Sequence, residues 1–352
     1  MEHLTANTSP LVTTVIPTFR RPRLLRRAVL SALEQDGVPL RVCVYDNASG
    51  DDTATTINAL AADDPRLVYF CHRQNLGAAA NFEFGLRKVE TPFFSILSDD
   101  DYLLPGFYQR AVSELNRNPQ AMFFAGVTFL VDEQGNICDG RLLRWPREGL
   151  FAPPEGLMRL MHRMAPIWTG VVFKREVLDR LGFPDKEVLG PSDLDYMIRI
   201  TAQFPYLMKK VPAAAYTLNS ASFSAVEPLE SFWPGWKKMF DNLGALDVLD
   251  GDAKANALAA LHADARQMLF RRGANTLAQA RYEFVRAAAR ALETDCGQKG
   301  RATILRSLAS LCEGSVLLQR IYTHTYRFAE RRWVRGRAHL QATYGHYIKP
   351  VS

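Results

Sequence analysis

The chain has 352 residues, 47% of them hydrophobic and 23% charged, and a net charge of +6, an ordinary globular balance with room for two domains or one domain and a large appendage. No run of eighteen apolar residues is present, which excludes a spanning helix. The five cysteines are odd in number and include no C-x-x-C pair, which argues against a zinc site or a disulfide framework.

The opening "MEHLTANTSP" is polar, so residues 1–10 read as a loose leader of a cytoplasmic protein. "LVTTVIP" (11–17) is β-branched and apolar, and Pro22 opens a helical stretch with Leu25, Val29, Ala32 and Leu33 at helical spacing. "RVCVYD" (41–46) reads as a second strand, followed by the turn "NASGDDT" and a helix to about Ala62. "RLVYFCH" (66–72), "FFSILS" (93–98) and "AMFFAGVTFLV" (121–131) read as further strands, separated by helices opening near Asn75 and after Pro105. Cys43 and Cys71 lie in apolar runs, where a free cysteine behaves as a small core residue.

This alternation predicts an α/β fold with a mostly parallel sheet buried on both faces. Ligands in such sheets bind outside the carboxyl ends of the strands. Polar turns fall there: Thr18 to Arg20, Asp46-Asn47, Arg73 to Asn75, and Asp99-Asp100-Asp101. After an irregular stretch (132–165), "IWTGVVFKREVLDRLG" (167–182) reads as a strand running into a helix. "PSDLDYMIRITAQF" (191–204) reads as a helix with Asp193 and Asp195 in its first turn, and "YLMKKVPAAAYTLN" (206–219) as a strand. From about residue 230 strand signals fade and Ala, Leu and Arg dominate amphipathic helical patterns.

Three groups of acids could carry chemistry. Asp99, Asp100 and Asp101 end an apolar strand, where they form either a solvated turn or a site for a hard divalent cation such as Mg²⁺ or Mn²⁺. Asp46 either accepts hydrogen bonds from a base or ribose or caps the turn "DNAS". Asp193 either caps its helix or takes a proton from an attacking hydroxyl. Nothing here resembles a Ser/His/Asp or Cys/His nucleophile pattern.

Five segments in order, "VTTVIPTFRRPRLLRRAVLSALEQ", "VYDNASGDDT", "NLGAAANF", "LSDDDYLLPG" and "GPSDLDYMIRI", resemble the signatures of the family 2 glycosyltransferases across about residues 10–220. The resemblance implies a Rossmann-like GT-A fold and inverting transfer of a sugar from a nucleoside diphosphate donor (UDP- or dTDP-linked), usually with Mn²⁺ or Mg²⁺. It implies a nucleotide-binding half (11–131) and an acceptor half (132–230), followed by a basic helical region (231–352). Carried over by position, Pro17, Thr18 and Arg20 line the base and phosphate side of the donor pocket, and Asp46 meets the base. Asn75 and Gly77 open the helix beside the nucleotide. Ser98-Asp99-Asp100 takes the place of the family's D-x-D motif, with Ser98 replacing its first acid. Asp99 then supplies the ribose contact, Asp100 the metal ligand and Asp101 support to it. Ser192-Asp193 takes the place of an E-D pair whose Asp is the base, with Asp195 a conceivable substitute. Trp168 and Thr169 face the acceptor or donor sugar.

Residues 231–352 hold 19 Lys and Arg against 10 Asp and Glu, an excess that suggests contact with an anionic surface. "FWPGW" (232–236) reads as a lid over the acceptor groove or as a hinge. "YRFAERRWVRGRAHLQ" reads as a membrane-surface helix holding a lipid-linked acceptor, a homodimer helix, or a solvated face. No nucleic-acid module is recognised. The resemblance implies an acceptor hydroxyl on a glycan, a lipid-linked sugar or a small natural product, and leaves the choice open. Two other readings stand beside the transferase. A sugar-phosphate nucleotidyltransferase needs a glycine-rich loop that "IPTFRRP" lacks, and a silent sugar-nucleotide-binding scaffold is at odds with the intact Asp100 and Asp193.

Overall fold

The computed structural model describes residues 9–219 and 228–349. The first half is built from β1 (Val12–Thr18), α1 (Pro22–Leu33), β2 (Leu40–Asp46), α2 (Thr53–Asp63), β3 (Leu67–Cys71), α3 (Ala78–Arg87) and β4 (Phe93–Ile96). It continues through β5 (Tyr102–Leu103), α4 (Phe107–Arg117), β6 (Phe123–Val131), β7 (Ile137–Asp139) and β8 (Gly149–Phe151). Then come α5 (Glu155–Leu160), β9 (Val171–Lys174), α6 (Glu176–Leu181), α7 (Ser192–Thr201) and β10 (Tyr206–Thr217).

The ten strands form one sheet in the order β3-β2-β1-β4-β9-β6-β10-β5, with β7 beside β6 and β8 beside β10. β1, β2, β3 and β4 run parallel, as the alternation predicts. The sheet is mixed beyond them, because β9 enters antiparallel between β4 and β6. Strand periodicity sends alternate residues to opposite faces. Ile16, Val42 and Val44 meet α1 and α4 through Leu25, Val29 and Tyr108, whereas Val15, Cys43 and Tyr45 meet α3 through Leu86. Each of these apolar side chains contributes about 1.5–3 kcal/mol by leaving water. β3 is an edge strand, so Val68, Phe70 and Cys71 are exposed. That corrects the reading of Cys71 as a core residue: the side chains of an edge strand are covered only where a helix overlies them. All five cysteines are free.

From Leu229 onward the described residues are helical: α8 (Leu229–Gly244), α9 (Gly251–Ala278), α10 (Tyr282–Thr294), α11 (Lys299–Glu313), α12 (Val316–Arg335) and α13 (Ala338–Tyr344). Their apolar faces form a second core, which also takes in Leu157, Met161, Val188 and Ile198 from the preceding half. "FWPGW" lies within α8, and Phe232, Trp233 and Trp236 are buried in that core. Gly235 is required there: a Cβ would stand 2.2 Å from the Leu189 carbonyl oxygen. The aromatic cluster is thus a packing element, neither a lid nor a hinge.

The last described residues return to the sheet. The Ile137 amide donates to Oε1 of Gln341 (2.7 Å), Arg337 lies 3.3 Å from Asp139, and the Tyr344 ring packs on Phe129. The Lys349 backbone exchanges hydrogen bonds with the Tyr102 hydroxyl, directly after the aspartate corner.

Candidate active site

Strand order reverses at β1, which lies between β2 and β4, so the chain leaves the carboxyl ends of these strands in different directions and opens a crevice. The register sets Thr18 at the end of β1 beside Asp46 at the end of β2. The Thr18 hydroxyl donates to Oδ2 of Asp99 (2.7 Å) across that crevice. Arg21 Nη1 donates to Asp99 Oδ1 at 3.1 Å and to Asp100 Oδ2 at 2.8 Å. Asp99 and Asp100 are both buried, and burial pushes the Asp99 carboxyl up to about 6 against the opposing pull of Arg21.

Asp101 is turned the other way. It is fully buried, its Oδ2 accepts from the Thr169 hydroxyl (2.7 Å), and its Oδ1 accepts from the Thr217 amide (2.9 Å). Burial and the Asp100 charge hold its carboxyl well above the usual range. Arg27 braces the corner from below, with Nη2 donating to the Asp100 carbonyl (2.6 Å) and to Thr217 Oγ1 (2.8 Å), and its guanidinium over the Tyr102 ring. The three aspartates therefore do not converge, and no cluster of three His, Cys, Asp or Glu suited to a metal occurs among the described residues. Asp99 and Asp100 still suit a hard cation that draws its other oxygens from water or a diphosphate. Arg21 bridging them marks a place where positive charge is favoured.

Asp46 is buried and fully engaged: Oδ1 accepts from the Ser49 amide and hydroxyl (2.9 and 2.6 Å), and Oδ2 from the Tyr69 hydroxyl (2.6 Å). The turn it shapes also holds Arg20, whose amide donates to Ser49 Oγ and whose Nε donates to the Ser49 carbonyl, with φ at +57°. Asn47 donates to Asn75 Oδ1 (2.9 Å) and accepts from the Leu76 amide (2.8 Å), which ties the start of α3 to this wall. Asn75 also accepts from the Gly77 amide, and Gly77 at φ +84° turns the chain into α3. Pro17 stands half-buried on β1. His72, to which the sequence assigns no role, contacts Asn81 Oδ1 at 3.0 Å.

Asp193 opens α7. Its Oδ1 accepts from the Leu194 amide (2.8 Å), and burial raises its pKa while that hydrogen bond and the Arg141 charge oppose the rise. Asp195 is brought elsewhere: its oxygens accept from Arg199 Nε and Asn242 Nδ2, both at 3.0 Å, which locks α7 to α8. A cavity of about 160 Å³ reaches Ser192, the residue before Asp193, and is lined also by Phe82, Trp168, Lys186, Leu189 and Gly190. Phe82 and Trp168 stack there, with ring centroids 4.6 Å apart. The single turn Trp168–Gly170 joins the two acidic regions, because Thr169 holds Asp101 while Trp168 shares the cavity wall with Ser192. Gly170 allows it: a Cβ would meet Thr128 Oγ1 at 2.1 Å.

Arg21, Arg27, Tyr69 and Arg141 are site residues that the sequence does not single out. The only signal for Arg21 was its place in the turn after the first strand.

A mixed sheet with carboxylates at its switch point and helices on both faces is the GT-A architecture. The sequence model described as glycosyl transferase family 2 matches residues 13–182, so this part of the chain is a domain of that family. It is 32% identical over 129 residues to the GalNAc(5)-diNAcBac-PP-undecaprenol β-1,3-glucosyltransferase of Campylobacter jejuni, covering 36% of this chain and 41% of that one. It is 25% identical over 241 residues to the uncharacterized glycosyltransferase RP339 of Rickettsia prowazekii, covering 65% and 72%. Residues 1–349 of S. aureus TarS superpose with a TM-score of 0.58 at 15% identity, covering 90% of this chain and 91% of that one. The same TarS fragment is also known with UDP-GlcNAc (TM-score 0.57, 13% identity, 90% and 92% covered). The mannosyltransferase PcManGT of Pyrobaculum calidifontis, solved with GDP-Man and Mn²⁺, gives 0.50 at 17% identity, with 96% and 88% covered. These three likenesses concern the fold alone.

Proposed function

We propose that the chain transfers a sugar, with inversion, from a nucleoside diphosphate donor to an acceptor hydroxyl, and that Asp193 is the base. The observation that carries this reading is the Trp168–Gly170 turn, which leans on the aspartate corner through Thr169 and lines, through Trp168, a cavity that reaches Ser192 at the start of the Asp193 helix. One side of the crevice then holds the diphosphate and the other the reacting hydroxyl.

Asp99 faces the ribose, and Thr18 fixes its orientation. Asp100 would hold a divalent cation, Mn²⁺ or Mg²⁺, which would offset the negative charge of the leaving diphosphate. Asp101 is assigned to bracing, since both its oxygens are taken by protein donors. The Asp46 turn shapes the base pocket, and the wall around Asn75 and Gly77 closes it. The stacked Phe82 and Trp168 offer an apolar face to a sugar ring. Asp193 accepts the acceptor proton, and the oxygen attacks the anomeric carbon from the side opposite the diphosphate. The donor is a UDP- or dTDP-linked sugar; TarS, which shares the fold, binds UDP-GlcNAc. A lipid-linked acceptor is supported by the name of the Campylobacter relative.

The test is a thermal-shift screen of nucleotide sugars with and without Mn²⁺, followed by donor hydrolysis with each nucleotide that stabilises the protein. A metal-dependent shift with one donor and its slow hydrolysis are expected. No shift with any nucleotide would refute the reading.

A further inference from the structure

The basic helix α12 has two opposite faces. One is fastened to the helical bundle: Gln319 Nε2 donates to the Leu277 carbonyl (2.8 Å), Tyr322 to that of Ala274 (3.1 Å) and Thr323 to that of Ala278 (3.0 Å). This contact fixes which way the other face points. Leu317, Ile321 and Phe328 lie along the outer face at helical spacing, and they are 67%, 52% and 59% exposed. Val316 and Leu318 extend the patch at the start of the helix, and Trp333 near its end is exposed as well. No side chain of α12 is buried.

Arginines rim this stripe. Arg320, Arg327 and Arg331 run along one side of it and Arg332 and Arg335 close its end, against Glu330 as the one acid of the helix. None of the five arginines is in a salt bridge among the described residues. An exposed apolar stripe of this size needs a partner, and the arginines specify one that is anionic at its surface and apolar just beneath.

We propose that the outer face of α12 lies on an anionic lipid bilayer, with Leu317, Ile321 and Phe328 in the boundary region and the arginines at the headgroups. No helix among the described residues is long and apolar enough to cross a membrane, so the contact is peripheral. None of the residues of this surface is assigned to the donor, the cation or the base. Its test needs no donor, and either proposal can fail without the other.

The test uses the purified full chain, sedimented with phosphatidylcholine vesicles and with vesicles that also contain phosphatidylglycerol. Binding is expected only to the second kind, and it weakens as salt is added. Arg320→Gln, Arg327→Gln and Arg331→Gln each weaken it on the order of fivefold. The combined Leu317→Ser, Ile321→Ser and Phe328→Ser variant weakens it roughly tenfold or more while keeping the circular dichroism and melting curve of the parent. No sedimentation with anionic vesicles, or unchanged sedimentation of both sets of variants, overturns the proposal. So does ultracentrifugation showing a dimer that the serine variant dissociates in the absence of lipid binding, because the stripe then belongs to a second copy.

Discussion

The guanidinium of Arg21 lies 2.8 Å from Oδ2 of Asp100. The same Nη1 reaches Asp99 at 3.1 Å, so one arginine bridges the pair assigned to ribose and metal. Cation binding at Asp100 must then displace or share this contact. Arg21→Gln is expected to strengthen Mn²⁺ binding to the nucleotide-free protein on the order of tenfold, since charge-assisted hydrogen bonds are among the stronger ones. Calorimetry reads this directly, and an unchanged titration would show that Arg21 does not compete for the site.

Asp193→Asn keeps the shape of the side chain and removes the base. Donor affinity is expected to stay near that of the parent while transfer falls by about 10²–10⁴-fold. Burial raises the Asp193 pKa, so turnover in the parent also drops as pH falls through that value, because only the ionised form accepts a proton. Near-normal turnover in the variant would move the base elsewhere.

Asp101 is expected to matter for folding. Asp101→Ala strands the Thr217 amide and the Thr169 hydroxyl in the core and is expected to cost about 2–4 kcal/mol. Thr169→Val removes one of these bonds and is expected to cost about 1–2 kcal/mol. Urea denaturation measures both. Parent-like midpoints would mean that the carboxylate is free to act as a metal ligand.

Asp264 on α9 offers a test of pH dependence away from the site. Its Oδ2 accepts from the Arg163 amide (3.1 Å) at a turn where His162 and Arg163 both have positive φ, and burial pushes its carboxyl up to about 6. The folded form holds this proton more tightly than the unfolded chain, whose value is 3.8. Its stabilising contribution is therefore complete below the unfolded value and is lost as pH rises to about 6. Asp264→Asn retains an acceptor without the charge and is expected to stabilise the protein by ~1–2 kcal/mol above neutral pH, with little effect in acid. Denaturation across pH checks the crossover.

Much of the first half was legible from local pattern. β1, β2, β4 and β6, and the helices after them, follow from apolar periodicity and from Pro22 and Pro105, because these signals act over a few residues. The insertion of β9 between β4 and β6 was not legible. Any exposed strand edge satisfies the same hydrogen bonds, and only the packing of the whole chain selects one. Cys71 reads as core for the same reason, since being on an edge strand is a property of the sheet. At the site, the polar strand ends were visible, but their partners were not. Arg21 and Arg141 are ordinary charges in the sequence until the fold sets them against Asp100 and Asp193.

By itself the sequence determined the α/β alternation, the family signatures, the acids at the strand ends and the basic helical region. Each of these is carried by neighbouring residues or by composition. Only the tertiary structure decided that the aspartates divide, with Asp99 and Asp100 at the crevice and Asp101 turned to Thr169 and Thr217. It also decided that Asp195 serves the α7–α8 contact, that Trp233 and Trp236 are core, and that Leu317, Ile321 and Phe328 face outward. The reason is common to all of them. A side chain's role depends on what surrounds it, and those surroundings come from residues tens to hundreds of positions away.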